Sequence, residues 1–165
     1  NTAEGIMFME FIIATKELFG YRSEFITDTK GLGIFNSNFL EYGKDTQIKY
    51  VRDTGSLVVH ENGTTKLYGL IGIQDRGKLF IGPGTEVYKG QVVGMSARVG
   101  DISVNVCKEK AQTNHRSSGE GTSEHFNTPQ VMGLENALEY INDEELVEVT
   151  PKNIRIRKID LAAKF

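Results

Sequence analysis

The segment KEKAQTNHRSSGEGTSEHFNTPQ, from Lys108 to Gln130, contains almost nothing that can enter a hydrophobic core. A chain carrying it must close its core from the residues on either side and hold the tract outside. Insertions beyond ~12–15 residues inside a compact domain are as a rule functional or disordered. Both flanks are well patterned. DISVNVC, just before, alternates strictly, with Ile102, Val104 and Val106 facing one way and Ser103, Asn105 and Cys107 the other. Just after, Leu134, Ala137, Leu138 and Ile141 follow the i, i+3, i+4, i+7 spacing of a helix docked by one face.

The sequence around these flanks is mostly strand-like. LVEVTPKNIRIRK reads as a closing hairpin: Pro151 opens the turn, Ile154 and Ile156 point inward, and Arg155 and Arg157 point outward. KLFIGPGTEVYKGQVVG holds apolar runs separated by Gly-Pro-Gly and by Lys89-Gly90. Asn62-Gly63 is a hairpin-turn signal. In TTKLYGLIGI, Leu67, Leu70 and Ile71 suit a short helix, whereas Tyr68 and Ile73 also suit a strand. Local pattern leaves both open.

The N-terminal part has a different texture. GIMFMEFII (Gly5–Ile13) is apolar on both faces apart from Glu10 and reads as a doubly buried strand. Thr15 is placed to cap a helix marked by Leu18, Tyr21 and Phe25, and Lys30-Gly31 supplies a C-terminal cation and a glycine stop. GIFNSNFLEY (Gly33–Tyr42) then returns as a strand. Such a strand–helix–strand unit leaves unpaired edges, so partner strands are expected elsewhere, with self-association through exposed sheet edges as a corollary. The opening residue, Asn1 rather than Met, points the same way, to a piece of a longer protein.

Composition narrows the function. The 19 Lys and Arg against 22 Asp and Glu leave a net charge of −3, which disfavours non-specific coating of nucleic acid but allows a local basic patch. Cys107 is the single cysteine, so no internal disulfide forms and a reducing cytoplasm is expected. No apolar run reaches the ~20 residues of a membrane span, so no membrane partner is expected. Catalytic signals are thin. No phosphate-binding loop, zinc-protease pair or nucleophile elbow appears, and three scattered histidines with one cysteine do not make a structural zinc site. No catalytic residue, cofactor or metal is assigned to this chain.

Within the tract, Lys108, Lys110, His115 and Arg116 cluster among Gln112, Thr113, Asn114, Ser117 and Ser118. Cations with short hydroxyl and amide donors are what phosphate and ribose oxygens require. Glu109, Glu120 and Glu124 dilute that field, and a solvated surface loop fits the composition as well. Arg155 and Arg157 form a second cationic pair.

LFGYRSEFITDTKGLGI is similar to the helix and strand that end the fifth domain of the BipA/TypA family of translational GTPases. ENGTTKLYGLIGIQDRGKLFIGPGTEVYKGQVVG, DISVNVCK, TNHRSSG and LENALEYINDEELVEVTPKNIRIRK resemble that family's C-terminal domain in order and spacing. The resemblance implies an α+β chain. Residues 1–43 would be the second half of a ferredoxin-like domain, and residues 44–165 the family-specific C-terminal domain, with loop 108–130 and a helix at TTKLYGLIGIQDRG. It implies a stress-linked translation factor that binds the ribosome. A loop of its C-terminal domain would contact large-subunit rRNA and the acceptor end of the A-site tRNA. The residues matching that loop are Lys108, Lys110, Thr113, Asn114, Arg116, Ser117, Ser118 and Gly119. His115 stands where the family has an apolar residue, and Thr128-Pro129-Gln130-Val131 replaces a Pro-Pro followed by cations. His115, Arg155 and Arg157 complete the RNA-binding set. GTP and magnesium belong, by the same resemblance, to a domain outside this chain, so this chain is not itself expected to be an enzyme.

Three rivals stand beside this reading. GTEVYKGQVVG looks like a biotinyl-type hairpin but lacks the Met-Lys tip; Cys107 with His115 would make a thiol enzyme; or the chain is a protein-interaction or spacer module without RNA contact.

Overall fold

The computed structural model describes residues 2–3, 6–18, 20–44, 52–110 and 125–163. The chain divides into two compact units, Asn1–Tyr50 and Val51–Phe165. The architecture is α+β, with sheet as the main framework of the second unit.

In the first unit, β1 (Thr2–Ala3) pairs antiparallel with β2 (Ile6–Met7), a 3-10 turn covers Thr15–Glu17, and α1 spans Tyr21–Asp28. Thr15 lies inside the 3-10 turn and does not cap α1, whose N-cap is Gly20. The glycine stop holds. Gly31 takes φ +77° and donates its N–H to Ile26 O at 2.8 Å, a left-handed helix ending that a side chain would strain. Tyr21, Phe25 and Phe35 form a ring cluster with centroids 5.6–6.2 Å apart, so the segment after α1 does return against the helix. The two expected strands are corrected. Among the described residues, pairing within 6–13 is confined to Ile6–Met7, and residues 33–42 make no strand pairing. A strand is defined by its neighbour, and the rest of these two segments has none among the described residues.

The second unit is built on a six-stranded sheet. In chain order it comprises β3 (Ser56–Val59), β4 (Gly63–Thr64), α2 (Leu67–Gln74), β5 (Gly77–Leu79), β6 (Glu86–Val87), β7 (Gln91–Ser96), β8 (Ile102–Val104), α3 (Leu134–Tyr140), β9 (Glu145–Val149) and β10 (Ile154–Lys158). The sheet runs β8-β3-β7-β10-β9, with β5 also paired to β7; only the β3–β8 pair is parallel. β4 and β6 make a separate small ladder, so Asn62-Gly63 is not a tight hairpin turn; Asn62 Oδ1 instead accepts from Lys89 N at 2.8 Å.

Side-chain alternation sends the sheet's two faces into two cores. Leu57, Val59, Val93, Val104 and Val106 meet Leu70 and Ile73 of α2 on one face. Val58, Val92 and Ile156 meet Ala137 and Tyr140 of α3 on the other. TTKLYGLIGI thus resolves to helix, because Gly69, Leu70 and Ile73 fall on one buried stripe. The docked face of α3 differs from expectation. Ala137 and Tyr140 are buried, whereas Leu134 and Leu138 remain 45% and 47% exposed. Small Ala137 allows close approach to the sheet, and the Tyr140 hydroxyl has a partner there in Ser56 at 2.9 Å.

Candidate nucleic-acid interface

The two described ends of the polar tract lie along α2. At its start, β8 runs out through Val106, which is fully buried and accepts from Lys66 N at 2.9 Å. Gly69 makes this approach possible: a Cβ there would stand 2.7 Å from Val106 O. Cys107, Lys108, Glu109 and Lys110 therefore emerge beside the first turn of α2. At the far end, Gln74 in the last turn of α2 donates Nε2–H to His125 O at 2.9 Å and accepts from Asn127 N at 3.1 Å. Gln130 N then donates to Leu79 O at 2.8 Å, and Phe126 packs against the α2-side core. One short helix therefore anchors both stems.

Charge at the first stem is sorted by an ion pair. Glu109 turns to Lys66, 2.8 Å away, which holds its carboxyl below and the Lys66 ammonium above their ordinary ranges. That pair cancels itself. Lys108 and Lys110 have no carboxylate partner among the described residues, and the Lys108 ammonium lies 6.0 Å from the Tyr68 ring centroid. Both lysines are exposed. Thr113, Asn114, His115, Arg116, Ser117, Ser118 and Gly119 lie outside the described residues.

The arginine pair on β10 sits elsewhere. Counting β8, β3, β7 and β10, three strand spacings separate it from the tract's exit strand, about 14 Å. Both side chains point away from buried Ile156, as expected, but both are half-buried. Arg157 is already engaged, with Nε 2.7 Å from Glu148 Oε1. Tyr88 donates to the other oxygen of Glu148 at 2.6 Å; burial and this acidic partner push its hydroxyl well above the usual tyrosine range. Arg155 stands directly opposite Glu148 in the ladder. Among the described residues, Lys108 and Lys110 are therefore not brought together with the two arginines.

Cys107 fits poorly as a nucleophile. Burial, then the negative charge of Glu61, push its thiol above its ordinary value. His60 donates Nδ1–H to Val104 O at 3.2 Å, and His115, the base a thiol enzyme would need, lies outside the described residues. Among the described residues, no three His, Cys, Asp or Glu side chains are grouped to hold a metal, and no helix is long and apolar enough to cross a membrane.

The densest polar cluster was not foreseen. Arg52 donates to both oxygens of Glu145 at 3.1 Å, to Ser56 Oγ at 2.9 Å and to Tyr140 O at 2.7 Å, with its guanidinium 3.9 Å from the Tyr140 ring centre. Lys158 reaches Glu145 Oε1 at 3.0 Å and also pairs with Asp101, whose other oxygen accepts from Ser56 N at 2.7 Å. Glu145 and Lys158 are each 2% exposed. Burial alone would raise Glu145, but hydrogen bonds from Arg52 and Ser56 and the neighbouring cations outweigh it, and its carboxyl falls below the usual range. Burial would likewise lower Lys158, but Asp101 and Glu145 hold it above its ordinary value. Burial pushes the Tyr140 hydroxyl up to about 12. A sequence signal for this cluster did exist. Lys158 continues the inward row Ile154, Ile156, and Glu145 stands opposite it in the hairpin register.

With this geometry in view, known proteins add a family. The profile of the TypA/BipA C-terminal domain matches residues 54–163. The chain is 45% identical over 151 residues to the large ribosomal subunit assembly factor BipA of Synechocystis, covering 92% of this chain and 25% of that protein. It is 43% identical over 162 residues to the putative elongation factor TypA-like SVR3, chloroplastic, of Arabidopsis thaliana, covering 98% of this chain and 24% of that protein. Against the BipA of Bacillus subtilis the figures are 43% over 160 residues, 96% and 26%. The chain spans about a quarter of the length of these relatives.

Proposed function

The chain belongs to the TypA/BipA family, and from that premise we propose that it is the ribosome-docking C-terminal region of a translational GTPase. The relatives carry the name of large ribosomal subunit assembly factors. In this reading the stretch 108–119 meets large-subunit rRNA and the acceptor end of A-site tRNA. Lys108, Lys110 and Arg116 hold phosphates. Thr113, Asn114, His115, Ser117, Ser118 and the backbone at Gly119 meet ribose and phosphate oxygens. Arg155 is a further contact on the sheet, and Arg157 joins it by exchanging Glu148 for phosphate. Residues 1–43 belong to the fifth domain and 44–165 to the family-specific domain. GTP and magnesium are handled outside this chain, which makes and breaks no bond. The work takes place in the cytoplasm, and the Arabidopsis relative's name puts that protein in the chloroplast.

The observation that supports this most is the sorted charge at the first stem. Glu109 is spent on Lys66, which leaves Lys108 and Lys110 exposed on a rigid root. Two such cations suffice for local attraction to phosphate although the chain as a whole is acidic.

The test uses the full-length protein and a ribosome pelleting assay across a salt series. Lys108→Ala, Lys110→Ala and Arg116→Ala should each weaken association and flatten its log–log salt slope by roughly 0.7–0.9 per lost phosphate contact. The thermal midpoint should not move for Lys108→Ala and Lys110→Ala, because both side chains are exposed. Pelleting that is the same for wild type and all three variants at every salt concentration would sink the reading.

A further inference from the structure

The outer face of α2 carries an aromatic side chain that the fold does not use. Tyr68 remains 39% exposed, while Leu70 and Ile73 of the same helix supply the core contacts. Over its ring stands Lys108, whose ammonium is 6.0 Å from the ring centre, with Lys110 two residues further on. Glu109, the anion that would oppose a phosphate here, is held by Lys66.

We propose that Tyr68, with Lys108 over its ring and Lys110 two residues on, is a stacking site for one unpaired nucleotide of an RNA, the base taking the ring face and the ammonium moving to its phosphate. The inference rests on the RNA-facing reading above and assigns it a contact outside the tract. The chemistry is complementary in two parts. A planar base lays its π-face on the phenol ring, and its phosphate lies within reach of ammonium groups that have no carboxylate partner among the described residues. An exposed ring flanked by lysines is the pairing found where single strands are gripped without sequence preference. A protein hot spot would instead seat the ring in a desolvated pocket ringed by apolar contacts, whereas Tyr68 is 39% exposed with an ammonium over it.

The chain has no tryptophan, so Tyr68→Trp places a single reporter at the site. The probes are a fluorescein-labelled, unstructured RNA of about 12 nucleotides, within the range that single-strand binders cover, and heparin as a polyanion without bases. The site requires that RNA quench the Trp emission at saturation while heparin does not. Tyr68→Ala should weaken RNA binding roughly 5- to 100-fold, as expected for loss of one stacked base. Tyr68→Phe should retain binding, and neither variant should shift the melting temperature. Equal quenching by heparin, or unchanged affinity in Tyr68→Ala, overturns the proposal. So does an emission shift that follows protein concentration alone, since the face would then be a contact between copies. If Lys108→Ala and Lys110→Ala lose RNA while Tyr68→Ala does not, stacking fails and the cationic reading stands. If none of the three changes binding, both fail.

Discussion

Phe8, Phe11 and Ile12 of the first unit leave 77%, 77% and 86% of their surface to solvent, whereas Leu57, Val59 and Leu70 of the second leave 1% or less. The side chains are of the same kind, and full burial of any of them is worth about 1.5–3 kcal/mol. What separates the two regions is an opposing layer. The second unit has a sheet with α2 on one face and α3 on the other, so the inward residues of its central strands have something to press against. The first has one short helix, a ring cluster on one side of it and a two-residue ladder. Apolar patterning sets which face wants to be covered. It does not supply the cover.

The comparison can be broken at its most heavily partnered point. Glu145→Ala removes the carboxylate between Arg52 and Lys158 and leaves two buried cations without it, so the second unit should lose about 3–5 kcal/mol in urea denaturation. A loss below 1 kcal/mol would mean that the cluster is not what joins Arg52 to the hairpin. Its pH dependence has a definite sign. Glu145 is lowered in the folded state from its ordinary 4.5, so its contribution is complete above that value and fades as pH falls through the depressed folded value. Lys158 is raised from 10.5, so its contribution is complete below that and fades as pH rises through the raised value. Glu145→Ala should therefore flatten the acid limb of a melting-temperature profile.

A matched pair of truncations sharpens the contrast between units. Leu70→Ala, at a fully buried position, should cost about 2–5 kcal/mol. Phe39→Ala, at a position 72% exposed, should stay within about 0.5 kcal/mol although it removes a larger side chain. Equal effects would show that the exposure difference between the units does not hold in solution. The smallest change in free energy, but a visible one, concerns association. Deleting residues 1–50 should lower binding of a hydrophobic dye and reduce concentration-dependent sedimentation, since Ile6–Ile13 and Leu32–Tyr42 carry most of the exposed large apolar residues of that unit.

Much of the second unit was legible before any coordinates. Strict alternation placed Val104 and Val106 inward, and the Ile154–Ile156 row with Pro151 yielded the β9–β10 hairpin, because a period of two is written directly into the residues. The face of α3 was legible in part: Ala137 and Ile141 turn inward as their spacing says, but only the place where the helix crosses the sheet sets Tyr140 inside and leaves Leu134 and Leu138 out. The candidate interface divides in the same way. Its cations can be read from KEKAQTNHR, but that Glu109 is neutralised by Lys66, that Arg157 is occupied by Glu148, and that Tyr68 stands next to Lys108 are facts of chain crossing.

By itself, then, the order of residues determined which segments alternate, where α1 must stop, which tract is too polar to build a core and which family the chain resembles. These are local properties, set by side-chain period, backbone freedom at glycine and polarity. Tertiary structure alone decided which charges remain unspent and which rings remain uncovered. Both depend on residues such as Lys66 and Glu109, or Arg52 and Glu145, that meet only once the sheet has closed between two helices.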